Sequence, residues 1–284
     1  MKIKTIIILF IPIFINACYN PELKRNDLEE MNLYGNVKSL KEISYEAIEK
    51  FGEAEKGEKA RQYSWVYDEQ IIFNSQGNKE LRNAYKSDGN LFEKNTYIYD
   101  DKGYLSKEYK YSPVGSNVKK TLFGYNDKGL IVEENAYKSG DELIYKASYN
   151  YDDHRNIIEE IYYEADGSLS LKYTSKYDSH GNKIEWKSFN PNGSLLRYNT
   201  FKFDEKGNRI EINWYDKLEK FDGKYIFEFD EKGNKIEENW YDLDGTVKTR
   251  WTYKYEFDEN GNWVKRNDYR NDIVKFIIER EIEY

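Results

Sequence analysis

A repeat of 26 residues constrains the fold of this chain more than any other feature. Steps of 26 residues in either direction from Tyr177-Asp178 reach, each time, an aromatic residue followed by Asp or Asn. These pairs are Phe73-Asn74, Tyr99-Asp100, Tyr125-Asn126, Tyr151-Asp152, Tyr177-Asp178, Phe203-Asp204 and Phe229-Asp230, and Phe257-Asp258 follows after 28 residues. Self-similarity at a fixed period predicts one domain of stacked repeats rather than several globular domains.

Each repeat contains two turn signals. One is D-x-x-G-N, as in residues 204–208, and the other comes half a repeat later, as in the Asn-Pro-Asn-Gly of residues 190–193. Asp or Asn at the first position and Gly at the fourth are typical of a type I turn that ends in a left-handed glycine. Such tight turns join only antiparallel neighbours. The sequence therefore predicts an all-β fold, a long antiparallel β-meander of tandem 26-residue two-strand repeats.

The meander should contain about 16–18 strands, because each repeat contributes two. A sheet this wide accumulates twist and cannot stay flat, so we expect it to curl or coil. The repeat domain is predicted over residues 33–284. A segment rich in Glu, Ala and Lys interrupts its first hairpin at residues 46–62, and this segment forms either a long hairpin tip or a short helix.

The N-terminus has the character of a secretory signal. Two lysines precede an apolar run from Ile6 to Ile15, which is too short for an ordinary membrane span. Ile15-Asn16-Ala17-Cys18 resembles the lipobox of a bacterial lipoprotein, which implies cleavage after residue 17 and acylation of Cys18. An ordinary signal peptide is the alternative. Residues 18–32 are polar and aperiodic and are predicted to be a tether, so the expected location is the bacterial cell envelope, with the chain lipid-anchored at the outer membrane or cell surface if the cell is Gram-negative.

Composition excludes several classes of function. The chain has 44 basic and 52 acidic residues, a net charge of -8, and no long run of one sign, so we do not expect it to bind nucleic acid. Its single cysteine leaves no internal disulfide or thiolate cluster. We predict no cofactor.

No metal site is predicted either. The recurring turn aspartates could form a rim of calcium ligands, but one carboxylate per turn is few for an ion that takes six or more oxygens. Capping of their own turns by these side chains is the favoured interpretation. His154 and His180 occupy equivalent turns two strands apart, about 9.6 Å, which is too far for one zinc ion.

A column of glutamates offers the only catalytic alternative. It comprises Glu133, Glu159, Glu185, Glu211 and Glu237, and a column of lysines runs beside it at Lys94, Lys120, Lys146, Lys172 and Lys224. Paired carboxylates could serve a glycosidase, but a solvated, charge-balanced ladder explains the same pattern. We therefore predict no catalytic residues and no enzymatic activity.

Aromatic columns are the candidate binding feature. One comprises Tyr97, Phe123, Tyr149, Phe201, Phe227 and Tyr255, and the other comprises Trp186, Trp214, Trp240 and Trp251. Cross-strand packing explains most aromatic side chains in a sheet that has little aliphatic core. Those exposed on a concave face could instead bind a ligand, and the four tryptophans are the candidate ligand-binding residues. A membrane-embedded barrel is not favoured, because strands such as Lys183–Ser188 place charges or small polar groups on both faces.

These motifs resemble those of the bacterial YD-repeat or RHS-repeat family, whose mark is Y-x-Y-D-x-x-G-x-[LIV]. The mark stands here as Tyr97-Ile98-Tyr99-Asp100-Asp101-Lys102-Gly103-Tyr104-Leu105, and more loosely at Phe201–Ile210 and Phe227–Ile236. The resemblance spans roughly residues 33–284. It implies a long coiled β-sheet, which in large members closes into a shell around a toxin, and it implies carbohydrate binding.

The sequence thus predicts a lipid-anchored envelope scaffold that binds a polysaccharide or a protein through its curved, aromatic-rich sheet. A purely structural or protective envelope lipoprotein, for example a partner of a secreted toxin or surface machine, is the alternative. A carbohydrate-active enzyme is a more distant one.

Overall fold

The computed structural model describes residues 26–60, 68–113 and 117–284. Residues 1–17 and Cys18 lie outside these ranges. A short helix, α1 (Asp27–Glu30), is followed by 19 strands. The strands are β1 (Ser39–Lys50), β2 (Glu53–Lys59), β3 (Asp68–Phe73), β4 (Lys79–Tyr85), β5 (Leu91–Tyr99), β6 (Leu105–Ser112), β7 (Asn117–Tyr125), β8 (Ile131–Tyr137), β9 (Leu143–Tyr151), β10 (Ile157–Glu164), β11 (Leu169–Tyr177), β12 (Lys183–Phe189), β13 (Leu195–Phe203), β14 (Arg209–Tyr215), β15 (Phe221–Phe229), β16 (Lys235–Tyr241), β17 (Val247–Phe257), β18 (Trp263–Arg270) and β19 (Ile273–Glu283).

All strands belong to one antiparallel sheet, which confirms the predicted meander. The sheet is closed rather than merely curled, because β1 pairs with β19 along one edge and with β3 along the other. Eighteen strands form the ring, and β2 pairs only with the far end of β1 as a hairpin. Closure satisfies the backbone groups that an open meander would leave bare on its two edge strands.

The ring is wide. When paired residues are traced from strand to strand once around the ring, the path returns to β1 about 20 residues from its starting position. For 18 strands this offset corresponds to a strand tilt of roughly 40° from the barrel axis. A circular section would then be roughly 35 Å across between backbones, more than side chains can fill. The interior is a lumen rather than a packed core.

The D-x-x-G-N turns form one end of the barrel, which we call the Asp rim. At Asp152, whose turn has Arg155 at the glycine position, Oδ1 accepts hydrogen bonds from the backbone N–H groups of His154 and Asn156 at 2.9 and 2.8 Å, and Oδ2 accepts one from Asn156 Nδ2 at 3.0 Å. Asp178, Asp204 and Asp230 repeat this geometry. The aspartates therefore cap their own turns, as the sequence favoured, and the glycine of the motif adopts the left-handed conformation, for example Gly207 at φ 84°.

Tyrosines join neighbouring strands at one position of the repeat, which four of them occupy within the aromatic–Asp/Asn pairs and Tyr255 occupies two residues before Phe257-Asp258. Each of five hydroxyls donates a hydrogen bond of 2.7–2.9 Å to the carbonyl of the first residue of the preceding strand. The pairs are Tyr99 with Lys79, Tyr125 with Leu105, Tyr151 with Ile131, Tyr177 with Ile157, and Tyr255 with Lys235. Phe203 and Phe229 occupy the same repeat position without a hydroxyl. This contact gives the tyrosine of the Y-D pair a structural role.

The seam is the junction at which β1 closes the ring between β19 and β3. Ion pairs on the inner face stabilise it. Arg266 Nε and Nη2 donate to the two carboxylate oxygens of Asp268 on the same strand at 2.6 and 2.9 Å. Arg280 of β19 donates to Glu42 of β1 at 3.0 Å across the closing junction. The guanidinium of Arg280 also lies 3.4 Å from the ring centroid of Trp263. Ions and aromatic rings therefore hold β18, β19 and β1 together.

The N-terminal segment crosses the seam at the Asp rim. The backbone N–H of Leu28 donates to Gly77 O at 3.1 Å, and Tyr34 N donates to Asn262 Oδ1 at 2.8 Å. Leu28 and Met31 pack against a small apolar cluster. Its buried members are Leu33, Val37, Leu40, Ile71 and Phe73. The last part of the predicted tether, residues 26–32, is thus docked on the barrel. No helix in the described part of the chain is long and apolar enough to cross a bilayer.

The insertion at residues 46–62 extends the opposite end of the barrel, which we call the far rim. Of the two predicted forms the structure shows the hairpin: β1 continues to Lys50 and returns as β2. Residues 61 and 62 lie outside the described ranges. Phe51 at the hairpin tip is fully exposed. Leu218 and Leu243 are also exposed on neighbouring turns of this rim.

The tyrosine contacts predict a matched pair of stability effects. Tyr151→Phe should lower the free energy of unfolding by about 1 kcal/mol, because it leaves the Ile131 carbonyl without its partner. Phe203→Tyr should not destabilise the protein, because it restores the hydroxyl that the repeat otherwise supplies. Urea unfolding of both variants measures this, and equal destabilisation by the two changes would contradict the assigned role.

Candidate functional site

The two faces of the sheet differ in their electrostatic environment. Burial raises the pKa of Tyr97 to about 12, and it raises the pKa values of Tyr145, Tyr149 and Tyr162 as well. Residues two apart in a strand share a face, and cross-strand partners do too. The registers of β5 to β10 place all four tyrosines on one face. That desolvated face lines the lumen.

Both charged ladders singled out in the sequence lie on the outer face. Glu185 pairs with Lys176 at 2.9 Å, Glu211 with Lys202 at 2.8 Å and Glu237 with Arg250 at 2.7 Å, and Glu159 pairs with Lys172. These cations remain about 40–70% exposed, so each pair contributes little to stability. These glutamates are therefore solvated and paired with cations, but of the four pairs only Glu159–Lys172 joins the two predicted columns, and the other three use cations outside the lysine column.

All four candidate tryptophans face the lumen. Trp186, Trp214, Trp240 and Trp251 lie on β12, β14, β16 and β17, and the registers place each of them on the lumen face. We call this set the Trp arc. Each of these residues is partly exposed. The structure thus brings the four residues to one sector of one concave surface, as a ligand site would require.

The indoles of the Trp arc are held by packing as well as exposed. Trp186 stacks on Tyr173 with ring centroids 5.3 Å apart, and Trp251 stacks on Phe276 at 6.3 Å. Trp214 meets Tyr225 edge-on at 4.7 Å. The two interpretations from the sequence therefore coexist, since three of the four rings pack against neighbouring aromatic rings while each residue keeps some solvent exposure.

Gly223 brings two of the indoles close together. A Cβ at this position would lie 3.8 Å from Trp214, 3.7 Å from Trp240 Nε1 and only 3.0 Å from the Tyr241 carbonyl. Its φ of 141° also disfavours a larger residue. With its amide oriented to satisfy both neighbours, Asn199 accepts a hydrogen bond of 2.9 Å from Trp214 Nε1. Gly223 therefore leaves room for the indoles of Trp214 and Trp240, and the hydrogen bond to Asn199 positions that of Trp214.

A carboxylate column occupies the neighbouring sector of the lumen. It comprises Glu108, Glu134 and Glu160, at equivalent positions on β6, β8 and β10. Glu134 accepts hydrogen bonds from the Tyr145 and Tyr149 hydroxyls, the latter at 2.8 Å. Burial raises the pKa values of Glu108 and Glu160. Burial also lowers the pKa of Lys119, whose ammonium donates to Tyr145 at 3.0 Å.

The sequence interpretation did not single out this column. Glu108, Glu134 and Glu160 occupy the repeat position that Trp186 takes in the following repeat. Residues at one repeat position lie on one face of the sheet, so the three glutamates could have been assigned to the same face as the tryptophans from the sequence.

The sequence interpretation also assigned Tyr255 to the wrong position of the repeat. Tyr255 makes the same contact as Tyr99, while Tyr253 approaches Glu238 at 3.5 Å as Tyr149 approaches Glu134. The last repeat is 28 residues long instead of 26. Its two extra residues therefore come after Tyr255, and not before it as the predicted column assumed.

The turn histidines lie where the sequence placed them. His154 and His180 are exposed on neighbouring turns of the Asp rim, and their backbone N–H groups donate to Asp152 and Asp178. Within residues 26–60, 68–113 and 117–284, no group of three or more His, Cys, Asp or Glu side chains is arranged to hold a metal ion.

Comparisons with known proteins give distant structural likenesses. No protein-family model and no curated protein matches the chain. A Photorhabdus luminescens Tc holotoxin pore structure is 14% identical at a TM-score of 0.36, and the match covers 78% of this chain and 12% of that one. A porin-like protein from Bacteroides uniformis is 10% identical at a TM-score of 0.42, with 88% and 99% covered. A porin-like protein from Bacteroides vulgatus is 13% identical at 0.35, with 72% and 93% covered.

Two adjacent glutamates on opposite faces give a pH-dependent prediction. Burial raises the pKa of Glu160, so the stability present below the unfolded-chain pKa of about 4.3 is lost as the pH rises through the folded pKa. Glu160→Gln removes that loss. We expect the variant to be more stable than the wild type at pH 7 and similar to it near pH 3, as measured by urea unfolding.

Glu159→Gln is the matched control. The hydrogen bond from Lys172 lowers the pKa of Glu159, so its ionised form stabilises the folded state above the unfolded pKa and this contribution is lost on acidification. This variant should be slightly less stable than the wild type at pH 7. If both substitutions changed stability in the same direction, the assignment of the two faces would be wrong.

Proposed function

We propose that this protein is a lipid-anchored component of the bacterial cell envelope whose barrel binds a polysaccharide along the Trp arc of its lumen. The observation that carries the proposal is the gathering of four partly exposed tryptophans on one sector of a concave surface. Flat aromatic faces beside amides and charged groups suit the apolar faces and hydroxyls of sugars. No catalytic role is proposed for this surface.

The lumen surface fits a chain-like ligand better than a small compact one. Trp186, Trp214 and Trp240 lie on every second strand, so they are spaced by about 9.6 Å around the wall. Trp251, one strand further on, extends the row. An extended polymer can contact several such platforms at once, and each contact adds to the affinity of the next through a high effective concentration.

Anchoring through Cys18 would orient the barrel. Asn26 is docked on the Asp rim, and it lies eight residues after Cys18 in the chain. Eight extended residues reach at most about 28 Å. The Asp rim would therefore face the membrane, and the far rim with its β1–β2 hairpin would face away from it.

A protein-binding envelope scaffold is the second candidate. It is favoured by the apolar side chains exposed on one arc of the far rim, which runs from β13 through β19 to the β1–β2 hairpin. These are Leu196, Leu218, Phe221, Leu243, Val247, Ile273, Ile48 and Phe51. Exposed apolar patches of this kind mark interaction surfaces. Under the proposed orientation this arc would face away from the membrane, accessible to a protein.

Removal of tryptophans from the Trp arc tests the first candidate. Trp214→Ala and Trp240→Ala should each weaken glycan binding by about tenfold, because loss of an aromatic platform costs roughly 1.5 kcal/mol. Binding would be measured on a glycan array and then by calorimetry with the polysaccharide that the array identifies. Tyr215→Ala, which removes an aromatic ring from the outer face, is the control and should bind as the wild type does.

Equal effects of the outer and lumen substitutions would contradict binding in the lumen. Circular dichroism and unfolding of each variant separate lost binding from lost folding. An array on which the wild-type protein binds no glycan would decide against the first candidate and in favour of the second.

The anchor is tested independently. Cys18→Ser should move the protein from the membrane fraction to the soluble fraction, because several acyl chains at about 0.8 kcal/mol per buried methylene otherwise hold it in the bilayer. Metabolic labelling with an alkyne fatty acid, followed by fractionation, measures both acylation and location. An unlabelled wild-type protein that remains soluble would overturn the lipid-anchored assignment.

A further inference from the structure

Seven equivalent strand starts form a second column in the lumen beside the Asp rim. In chain order the residues are Lys79, Leu105, Ile131, Ile157, Lys183, Arg209 and Lys235. Its members on β6, β8 and β10, the strands that carry the carboxylate column, are aliphatic. Its members on β12, β14 and β16, which carry three tryptophans of the Trp arc, are basic. The switch between the two kinds of residue falls between β10 and β12, where the Trp arc begins.

The four cations of this column differ in their partners. Lys79 pairs with Asp27 at 3.0 Å, and Lys235 pairs with Glu238. Within the described part of the chain, Lys183 and Arg209 have no carboxylate within 4.0 Å, and the same holds for Arg197 further along the lumen face of β13. Lys183 lies 5.8 Å from the ring centroid of Tyr177, and Arg209 lies 5.5 Å from that of Phe201. Both cations thus lie over aromatic rings.

These cations are desolvated as well as unpaired. Burial lowers the pKa of Lys183, the negative charge of Glu160 partly opposes this, and the positive charge of Arg209 adds to the lowering. Burial also lowers the pKa of Arg209. A partly buried charge without a counter-ion costs free energy that a bound anion would recover. Two like charges held one repeat apart make such an anion more favourable still.

The cations and the indoles belong to one surface. Lys183 and Trp186 are successive lumen-facing residues of β12, separated by a bulge, and Arg209 and Trp214 share β14. A sugar ring stacked on the indoles would therefore place its substituents toward the basic pair. Arginine and lysine are the side chains that bind carboxylates and sulfates most favourably.

We propose that the ligand of the Trp arc is an acidic polysaccharide, whose carboxylate or sulfate groups bind Lys183 and Arg209 while its sugar rings lie against Trp186 and Trp214. This inference rests on the proposed function, because it specifies the chemistry of the same site. It also assigns the uneven distribution of lumen charges a role in recognition.

A polymer with removable charge tests the proposal. Calorimetry with the mature protein would compare polygalacturonate with the same polymer after methyl esterification, which keeps the sugar backbone and removes the charge. Dextran sulfate and dextran form a second pair, which separates sulfate from carboxylate recognition. We expect at least tenfold tighter binding to one acidic polymer than to its neutral counterpart, with an affinity that falls as salt is raised.

Variants locate the effect. Lys183→Gln and Arg209→Gln should each weaken binding of the acidic polymer at least tenfold, and Lys183→Arg should retain it. Lys202→Gln, which removes an outer-face lysine paired with Glu211, is the matched control and should leave binding unchanged. Thermal unfolding of each variant shows whether the barrel is intact, and the Lys183→Arg comparison remains informative if a neutral substitution unfolds the protein.

The outcomes separate this inference from the function on which it rests. Equal binding of charged and esterified polymer, lost in Trp214→Ala but unchanged in Lys183→Gln, would refute the acidic ligand and leave polysaccharide binding in place. Equal weakening by Lys202→Gln and Lys183→Gln would show general attraction to surface charge and would also refute it. Absence of binding to any acidic or neutral glycan would overturn both.

Discussion

Every other feature of the molecule depends on the backbone pairing of one strand with two partners. β1 hydrogen-bonds to β19 along one edge and to β3 along the other. Without these two ladders the meander would end in bare edges, and its concave face would be an open trough. With them the concave face becomes the wall of a lumen. The aromatic rows, the buried ion pairs and the basic column are then brought to face a common interior that hairpin contacts alone would not define.

This wall is built with little aliphatic core. The two clusters of buried hydrophobic residues in the described part of the chain are small and lie near the seam, and buried residues elsewhere, such as Leu130 and Ala136, belong to neither. Around the rest of the ring the inner face combines aromatic stacking, tyrosine hydroxyls that bind carbonyls or carboxylates, and partly buried charges. Such a surface is less apolar than a packed interior and more desolvated than an outer one. The contrast between the two faces accounts for pKa shifts of opposite sign on adjacent residues: burial on the inner face raises the pKa of Glu160, and the hydrogen bond from Lys172 on the outer face lowers that of Glu159.

The hairpins and the order of the strands could be predicted from sequence, because each repeat contains similar turn residues. Turn residues fixed the hairpins, and the hairpins fixed an antiparallel meander. Closure could not be predicted in the same way, since it depends on β1 and β19, which lie at opposite ends of the repeat domain and pair through contacts such as Leu40 with Ile282. The tryptophans were identified from their spacing. The carboxylate column and the unpaired Lys183 and Arg209 were not, because their burial and lack of partners follow from closure rather than from the repeat.

Closure also changes what the repeat means for the length of the chain. In an open solenoid a unit can be gained or lost at little cost, because each repeat contacts only its neighbours. In this ring one unit adds two strands, which widens the whole barrel and shifts the alignment at which the two ends must meet. The number of repeats is therefore a collective property. Duplication or deletion of one unit would have to be accommodated by every strand at once, so substitution within repeats is the easier route by which such a lumen can diversify.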